Sequence, residues 1–136
     1  MKRTLFSLVV LSLLFTTACQ NKEKLFKEHY QKGLIALDAS NLDLALKHFD
    51  ECIALKPNHP ESHFYRGAVL FSKRDYESAI ESYTKAIDLN PNYADAYHNR
   101  GLTYNVLNRL DEKCEDFFRA YELGKTNLEI RLKECQ

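Results

Sequence analysis

The chain has 136 residues, with 19 Lys or Arg residues balanced by 19 Asp or Glu residues, so its formal net charge is zero. This length fits one folded domain, and the balanced charge gives no electrostatic reason to expect nucleic acid as a partner. The hydrophobic share of 45% is typical of a globular protein with one packed core.

Residues 1–18 predict a secretory signal peptide. Lys2 and Arg3 precede an apolar stretch over residues 5–15, and small residues follow at 16–18. The apolar stretch has eleven residues, two of them serines, whereas a membrane span needs about 20. We therefore expect residues 1–18 to act as an export signal rather than as an anchor.

Cys19 lies at the boundary between this apolar segment and a charged one. The segment resembles the lipobox of bacterial lipoproteins, which implies a lipidated Cys19 and a short linker over residues 19–25. That family usually has Leu where this chain has Thr16, so ordinary cleavage after Ala18 and an uncleaved segment remain alternatives. By analogy with some bacteria, Gln20 favours the outer membrane, with the protein facing the periplasm.

A 34-residue period organises the rest of the chain. Glycine, aromatic, small and leucine positions all recur in register, and prolines close the first two units. The recurring sets are Gly33, Gly67 and Gly101; Phe49, Tyr83 and Phe117; Cys52, Ala86 and Ala120; Leu55, Leu89 and Leu123; and Pro57 with Pro91.

Each period predicts two antiparallel helices. Residues 75–90 place apolar side chains at intervals of three and four, which is a one-sided helical stripe. Residues 61–73 show the same pattern, with Pro60 suited to a first helical turn. The recurring glycines allow the two backbones to approach closely.

These features resemble tetratricopeptide repeats. The resemblance covers 102 of 136 residues as units 26–59, 60–93 and 94–127, and it implies an all-α fold, a right-handed α-solenoid. Lys113 departs from the pattern, because Ala45 and Ala79 hold its place in the earlier units. Either its stem extends outward, or the last unit packs more loosely.

Residues 128–136 predict a short capping helix, because the last unit of a solenoid leaves an apolar face that must be covered. Leu128, Leu132 and Cys135 recur at helical spacing. Cys114 lies ten residues before Gly124 and Cys135 eleven after it. If the chain reverses at Gly124, both reach a similar height on facing helices, since each helical residue rises about 1.5 Å.

A Cys114–Cys135 disulfide is therefore expected, and the oxidising compartment of an exported chain allows it. Cys114 shares its predicted inward stripe with Phe117, Phe118 and Tyr121. Two buried thiols are the alternative. Cys52 occupies a position held by alanine in the other units and is predicted to be a small core residue.

Catalytic and cofactor motifs do not emerge from the sequence. There is no glycine-rich phosphate loop and no nucleophilic-serine or metalloprotease signature. His59 and His63 are four residues apart, but no carboxylate or cysteine completes a metal-ligand set. We expect no enzyme activity, no cofactor, no metal and no small-molecule substrate.

The first helix of each unit carries a second stripe besides the one that contains its glycine. By the family resemblance this stripe lines the concave face, where an extended peptide or a partner helix binds, although packing between neighbouring units is the alternative explanation. Phe64 and Phe71 are the expected anchors. The full set, which we call the groove stripe, is Tyr30, Leu34, Leu37, Phe64, Ala68, Phe71, His98, Leu102 and Asn105.

Some relatives hold the carboxyl tails of chaperones through lysine, arginine and asparagine side chains on this face. Of the corresponding positions here, Asn99 alone could still offer an amide; the set is Tyr30, Leu34, Tyr65, Asp95 and Asn99. The resemblance therefore implies a non-catalytic adaptor or assembly factor of the bacterial envelope that binds a hydrophobic segment of an envelope protein. The alternative is a soluble secreted or periplasmic binding module without a lipid.

Overall fold

The computed structural model describes the backbone of residues 2–135 and the side chains of residues 19–128 and 131–135. Within this part the chain is an all-α solenoid of three helical hairpins and a short last helix. The helices are α1 (Lys2–Asp38), α2 (Leu42–Leu55), α3 (Pro60–Ser72), α4 (Tyr76–Leu89), α5 (Ala94–Val106), α6 (Leu110–Glu122) and α7 (Glu129–Lys133).

The hairpins stack in chain order. We call α1, α3 and α5 the first helices, and α2, α4 and α6 the second helices. Each first helix packs against the second helix of its own unit, and α2 and α4 also pack against the first helix of the next unit. Every second helix thus lies between two first helices, except α6, which is followed by α7.

A glycine beneath an aromatic ring sets the distance between the two helices of every hairpin. A Cβ atom built on Gly67 would lie 2.8 Å from the Tyr83 ring, and one on Gly101 would lie 2.8 Å from the Phe117 ring. Gly33 has the same relation to Phe49, at 2.9 Å. These rings are almost fully buried, so close packing explains why glycine recurs once in every period.

We expect Gly67→Ala to destabilise the protein. Overpacking a close contact costs about 1–3 kcal/mol, which outweighs the gain of about 1 kcal/mol in helix propensity. Thermal unfolding followed by circular dichroism should show a net loss of about 1 kcal/mol. Ser72→Ala on the same helix changes an exposed residue and should leave the midpoint nearly unchanged. A variant as stable as the parent would contradict this account of the glycines.

The turns inside the hairpins recur with the same 34-residue period as the glycines. Ser40, Arg74 and Asn108 occupy one place in the repeat, and their φ angles are positive, at 56°, 64° and 57°. At each site the next residue's N–H donates to a carbonyl five residues back, for example Asp75 to Leu70, which ends the helix in a left-handed cap. Gly124 ends α6 in the same way, with φ of 89°.

Two arginines at one place in the repeat each bridge three helices. Arg100 of α5 donates two hydrogen bonds of 2.8 Å to the Asp116 carboxylate of α6 and one of 2.9 Å to the Thr84 hydroxyl of α4. Arg66 of α3 donates to Ser82 of α4 and to Asp50 of α2. We call these contacts the arginine bridges; they link neighbouring units by directional bonds as well as by apolar packing.

The carboxyl-terminal end is covered. Leu128 and Leu132 are buried against Phe117 and Ala120. Cys114 and Cys135 are joined by a disulfide, so the polypeptide does reverse at Gly124.

Lys113 is neither directed outward nor loosely packed, because its side chain is 6% exposed and its Nζ lies 3.9 Å from the Glu134 carboxylate of the last turn. The predicted inward stripe of α6 is wrong at two positions. Phe118 is 42% exposed and Tyr121 is 49% exposed. Adjacent residues of a helix point to different sides. Because Phe117 packs against Gly101, Phe118 faces solvent.

The linker expected at residues 19–25 is helical in the structure and continuous with the first unit. Glu23 forms a 2.6 Å ion pair with Lys56, whose amine lies 4.2 Å from the centre of the Phe26 ring. No Gly or Pro interrupts this stretch, so nothing ends the helix there. The side chains of the predicted leader, residues 1–18, lie outside the described set, and among the described residues no helix meets the length and hydropathy of a membrane span.

Candidate functional site

The groove stripe lies on the first helices, where eight of its nine members are half-buried and Asn105 is exposed. The surroundings of these residues differ from one helix to the next. Those of α1 and Phe64 of α3 mostly take part in packing between units, whereas Ala68, Phe71 and Leu102 line an open cleft.

On α1 the stripe packs against unit two. Tyr30, Leu34 and Leu37 border a buried cluster that includes Phe49 and Val69. The Tyr30 ring lies 5.9 Å from the Tyr65 ring, edge to face, and burial raises the pKa of Tyr30 to about 12. A phenol in this setting stays neutral at every physiological pH and contributes packing rather than charge.

Phe64 occupies an aromatic junction in the middle of the molecule. Its ring centre lies 5.2 Å from Tyr65, 5.8 Å from Tyr83 and 5.0 Å from Tyr93. It therefore joins the hydrophobic clusters of units two and three. Its expected role as an anchor for a partner competes with this structural role.

The cleft lies between α3 and α5 and has a volume of about 170 Å³. Phe71 and Leu102 form its apolar walls, Ala68 leaves room between them, and Ser72 and Asn99 supply polar groups. Tyr83 lies at its base and is almost fully buried. Apolar walls with a few placed polar groups are typical of sites that bind a side chain of a peptide.

His98 and Asn105 do not line this cleft. The His98 ring lies 5.8 Å from the Phe117 ring, and burial, assisted by Lys125 and Arg131, lowers the pKa of His98. It is thus a largely neutral side chain at the edge of the core of unit three. Asn105 is exposed at the last turn of α5, so it remains accessible to a partner.

Two polar residues of the cleft were outside the predicted stripe. Ser72 follows Phe71, and Asn99 follows His98, so a helical face drawn one residue wider would have included both. The stripe took three positions, at intervals of four and three residues, from each first helix, so it did not include the polar groups that lie one residue beside those positions.

The titratable side chains of His63 and Cys52 take part in packing rather than in chemistry. The His63 ring is hydrogen-bonded to the Pro57 carbonyl at 2.8 Å. Cys52 is fully buried, and burial raises the pKa of its thiol to about 11, so it is an unreactive core residue as its alignment with alanines predicts. Among the described residues no three His, Cys, Asp or Glu side chains form a metal-ligand group.

Comparison with known families decides the identity of the repeat. Two family models match, one described as TPR repeat over residues 67–105 and one as tetratricopeptide repeat over residues 29–59. The chain contains tetratricopeptide repeats. The bounds of these matches fall within the stretch that the 34-residue period covers, and no curated protein matches the sequence significantly.

Solved tetratricopeptide-repeat structures share the fold. The Arabidopsis OM64 TPR domain superposes with a TM-score of 0.78 at 24% identity, covering 83% of this chain and 98% of that one. The first TPR of Spaghetti (RPAP3), bound to an HSP90 peptide, gives 0.76 at 24% identity over 81% and 89%. The TPR2B domain of yeast Sti1, in complex with pHsp70, gives 0.73 at 20% identity over 82% and 92%.

Proposed function

We propose that this protein is a non-catalytic interaction module that binds an apolar peptide segment or partner helix across its first helices. The observation that carries the proposal is the cleft between α3 and α5. It opens on the side of the solenoid formed by the first helices, and its walls are Ala68, Phe71 and Leu102. Two of the similar structures were solved with peptide or chaperone partners, which supports a peptide as the ligand class.

The chemistry of the ligand differs from that of an acidic chaperone tail. Four of the positions that correspond to the lysine, arginine and asparagine side chains of those relatives hold Tyr30, Leu34, Tyr65 and Asp95 instead. Tyr30 and Leu34 are part of a packed cluster, and Asp95 pairs with Lys125. Because the residues that line the cleft are apolar or uncharged, it favours a hydrophobic side chain over a carboxylate.

The cellular setting is part of the same proposal. The leader pattern of residues 1–18 and the position of Cys19 support export to a bacterial envelope and attachment by a lipid, with an envelope protein as the partner. Cys19 is exposed, as a modified terminus must be. A soluble secreted module without a lipid is the second candidate, and metabolic labelling with a fatty-acid probe in the parent chain and the Cys19→Ser variant distinguishes the two.

The test of the binding site uses a single substitution that fills the cleft. Ala68→Glu places a carboxylate between Phe71 and Leu102, and an unpaired charge among apolar groups is costly. We expect the affinity for the partner to fall at least about tenfold, which corresponds to about 1.4 kcal/mol. The readout is in-cell photocrosslinking from position 72, on the rim of the cleft, followed by identification of the crosslinked envelope protein.

The matched control is Ala54→Glu, the same change at an exposed position of α2. Circular dichroism should show both variants folded. Crosslinks that survive in Ala68→Glu would place binding elsewhere on the protein, and crosslinks lost equally in both variants would show that the effect is not specific to the cleft.

A further inference from the structure

Unit one links its two helices by different side chains from those of units two and three. In the later units an arginine of the first helix donates to Ser82 or Asp116 of the second helix. Unit one has Lys32 at the place of the arginine, and this lysine bonds to Glu28 of its own helix at 2.6 Å. His48 occupies the place of Ser82 and Asp116 in the 34-residue period. The α1–α2 hairpin therefore lacks the arginine that forms these bridges.

A contact between two histidine rings links α1 and α2 instead. The Nδ1 atom of His29 lies 3.0 Å from the Nδ1 atom of His48, and the ring centres are 5.2 Å apart. This separation is close to the largest that such a contact allows, so the two nitrogens are directed at each other rather than at a common third atom. The geometry is that of an N–H···N hydrogen bond, in which one ring donates and the other accepts. We call these two residues the histidine pair.

The histidine pair responds to acid in two steps. A first added proton makes one ring an imidazolium, which still donates to the neutral ring, and a charge-assisted hydrogen bond is stronger than a neutral one. A second added proton leaves a hydrogen on both Nδ1 atoms, because both nitrogens of a charged histidine are donors. Two donors and two positive charges then face each other across 3.0 Å, so the contact becomes repulsive.

The surroundings of the histidine pair oppose the second proton. Burial lowers the pKa of His48, and the other ring of the pair, Lys32 and Lys47 act in the same direction. Glu51 acts in the opposite direction, and Glu28 is already bonded to Lys32. An unfolded histidine has a pKa of about 6.5, so as the pH falls the unfolded chain takes up this proton before the folded one. The stabilising contribution of the pair is complete above about pH 6.5 and is lost below it.

We propose that the histidine pair is an acid-sensitive contact, so that double protonation below about pH 6 loosens the packing of α1 against α2 while units two and three stay folded. Arginine keeps its charge throughout this range, so the arginine bridges of the later units persist. The amino-terminal hairpin would then respond to acid while the cleft between α3 and α5 keeps its shape. The proposal does not rest on the proposed peptide function, because neither His29 nor His48 lines that cleft.

The test is hydrogen exchange of the full chain in an uncharged detergent, at about pH 7.5 and about pH 5, on either side of the pKa of an ordinary histidine. Protection factors are compared, because they remove the intrinsic effect of pH on exchange. In the parent chain the protection of α2, and of the part of α1 that packs against it, should fall about tenfold, which corresponds to a displacement of one pKa unit. The protection of α4, which contains no histidine, should change less than about twofold.

Two variants separate the histidine pair from general titration. His48→Gln keeps a side-chain carbonyl that accepts from His29 whatever the charge of that ring, so the acid response of α1 and α2 should disappear. The matched control is His98→Gln, because His98 is also half-buried and its pKa is also lowered by burial; this variant should retain the response of the parent chain. Circular dichroism at neutral pH should show both variants folded.

The outcomes that contradict the proposal are distinct. Protection of α1 and α2 that does not depend on pH in the parent chain would overturn it, and so would an acid response that persists in His48→Gln or that disappears equally in His98→Gln. Side-chain NMR gives an independent reading. The two rings of the pair should titrate in two coupled steps separated by more than about one pH unit, and independent titration of both rings near about pH 6.5 would also overturn the proposal.

Discussion

Replacing Asp116 by alanine should destabilise the protein by about 3 kcal/mol, because breaking one side of a buried ion pair leaves the other charge without its partner. The Asp116 side chain is 3% exposed and that of Arg100 is 16% exposed. Burial raises the pKa of the Asp116 carboxyl, and the two hydrogen bonds from Arg100 act in the opposite direction. Urea denaturation followed by circular dichroism measures the loss.

The other arginine bridge supplies the control. Asp50, the carboxylate partner of Arg66, is 51% exposed, and an exposed pair contributes less than about 1 kcal/mol. Asp50→Ala should therefore have a small effect. A third variant, Arg100→Met with Asp116→Leu, removes both charges and should recover most of the stability. Equal losses from Asp116→Ala and Asp50→Ala would show that burial does not govern the strength of these bridges.

Removing the Cys114–Cys135 disulfide is expected to cost about 3 kcal/mol, because the bridge closes a loop with a sequence separation of 21 residues and so restricts the unfolded chain. Cys114→Ser should lower the urea midpoint. Hydrogen exchange should then accelerate in α7 and in the last turn of α6 while the protection of α3 and α4 is retained.

Cys52→Ala is the control for the loss of a thiol. Alanine stands at the equivalent positions of units two and three, so this change should stay within about 1 kcal/mol. Free thiols at both Cys114 and Cys135 in the unreduced exported protein, detected by peptide mass spectrometry, would contradict the bridge in that protein.

The repeat architecture was predictable because several independent physical constraints recur with one period. Gly67 must be small under the Tyr83 ring, and Pro57 and Pro91 suit the breaks between units. The all-helical fold and its three units followed from these positions. The packing of Lys113 did not follow, since a sequence pattern does not show that Glu134 of the last turn lies beside its amine.

The candidate site was less predictable because some residues of the groove stripe pack between units while others line the open cleft. Spacing alone places Tyr30 and Ala68 on equivalent faces, yet Tyr30 contacts the Tyr65 ring of the next unit while Ala68 borders open space. Which of the two occurs depends on side-chain volumes in the neighbouring unit. Residues 20–25 show a related limit, because their polar composition suggested a linker although nothing in them ends a helix.

The arginine bridges also make the two ends of the molecule unequal, because unit three has more links to its neighbours than unit one. Unit three is held by Arg100, by the last helix and by a covalent link, whereas unit one has Lys32 in the place of the arginine, and that lysine bonds to Glu28 of its own helix. Local opening should therefore begin at the amino-terminal hairpin and progress toward the carboxyl terminus. A pulling force or a protease acting on that end would release the units one after another, with the tied end as the last to unfold.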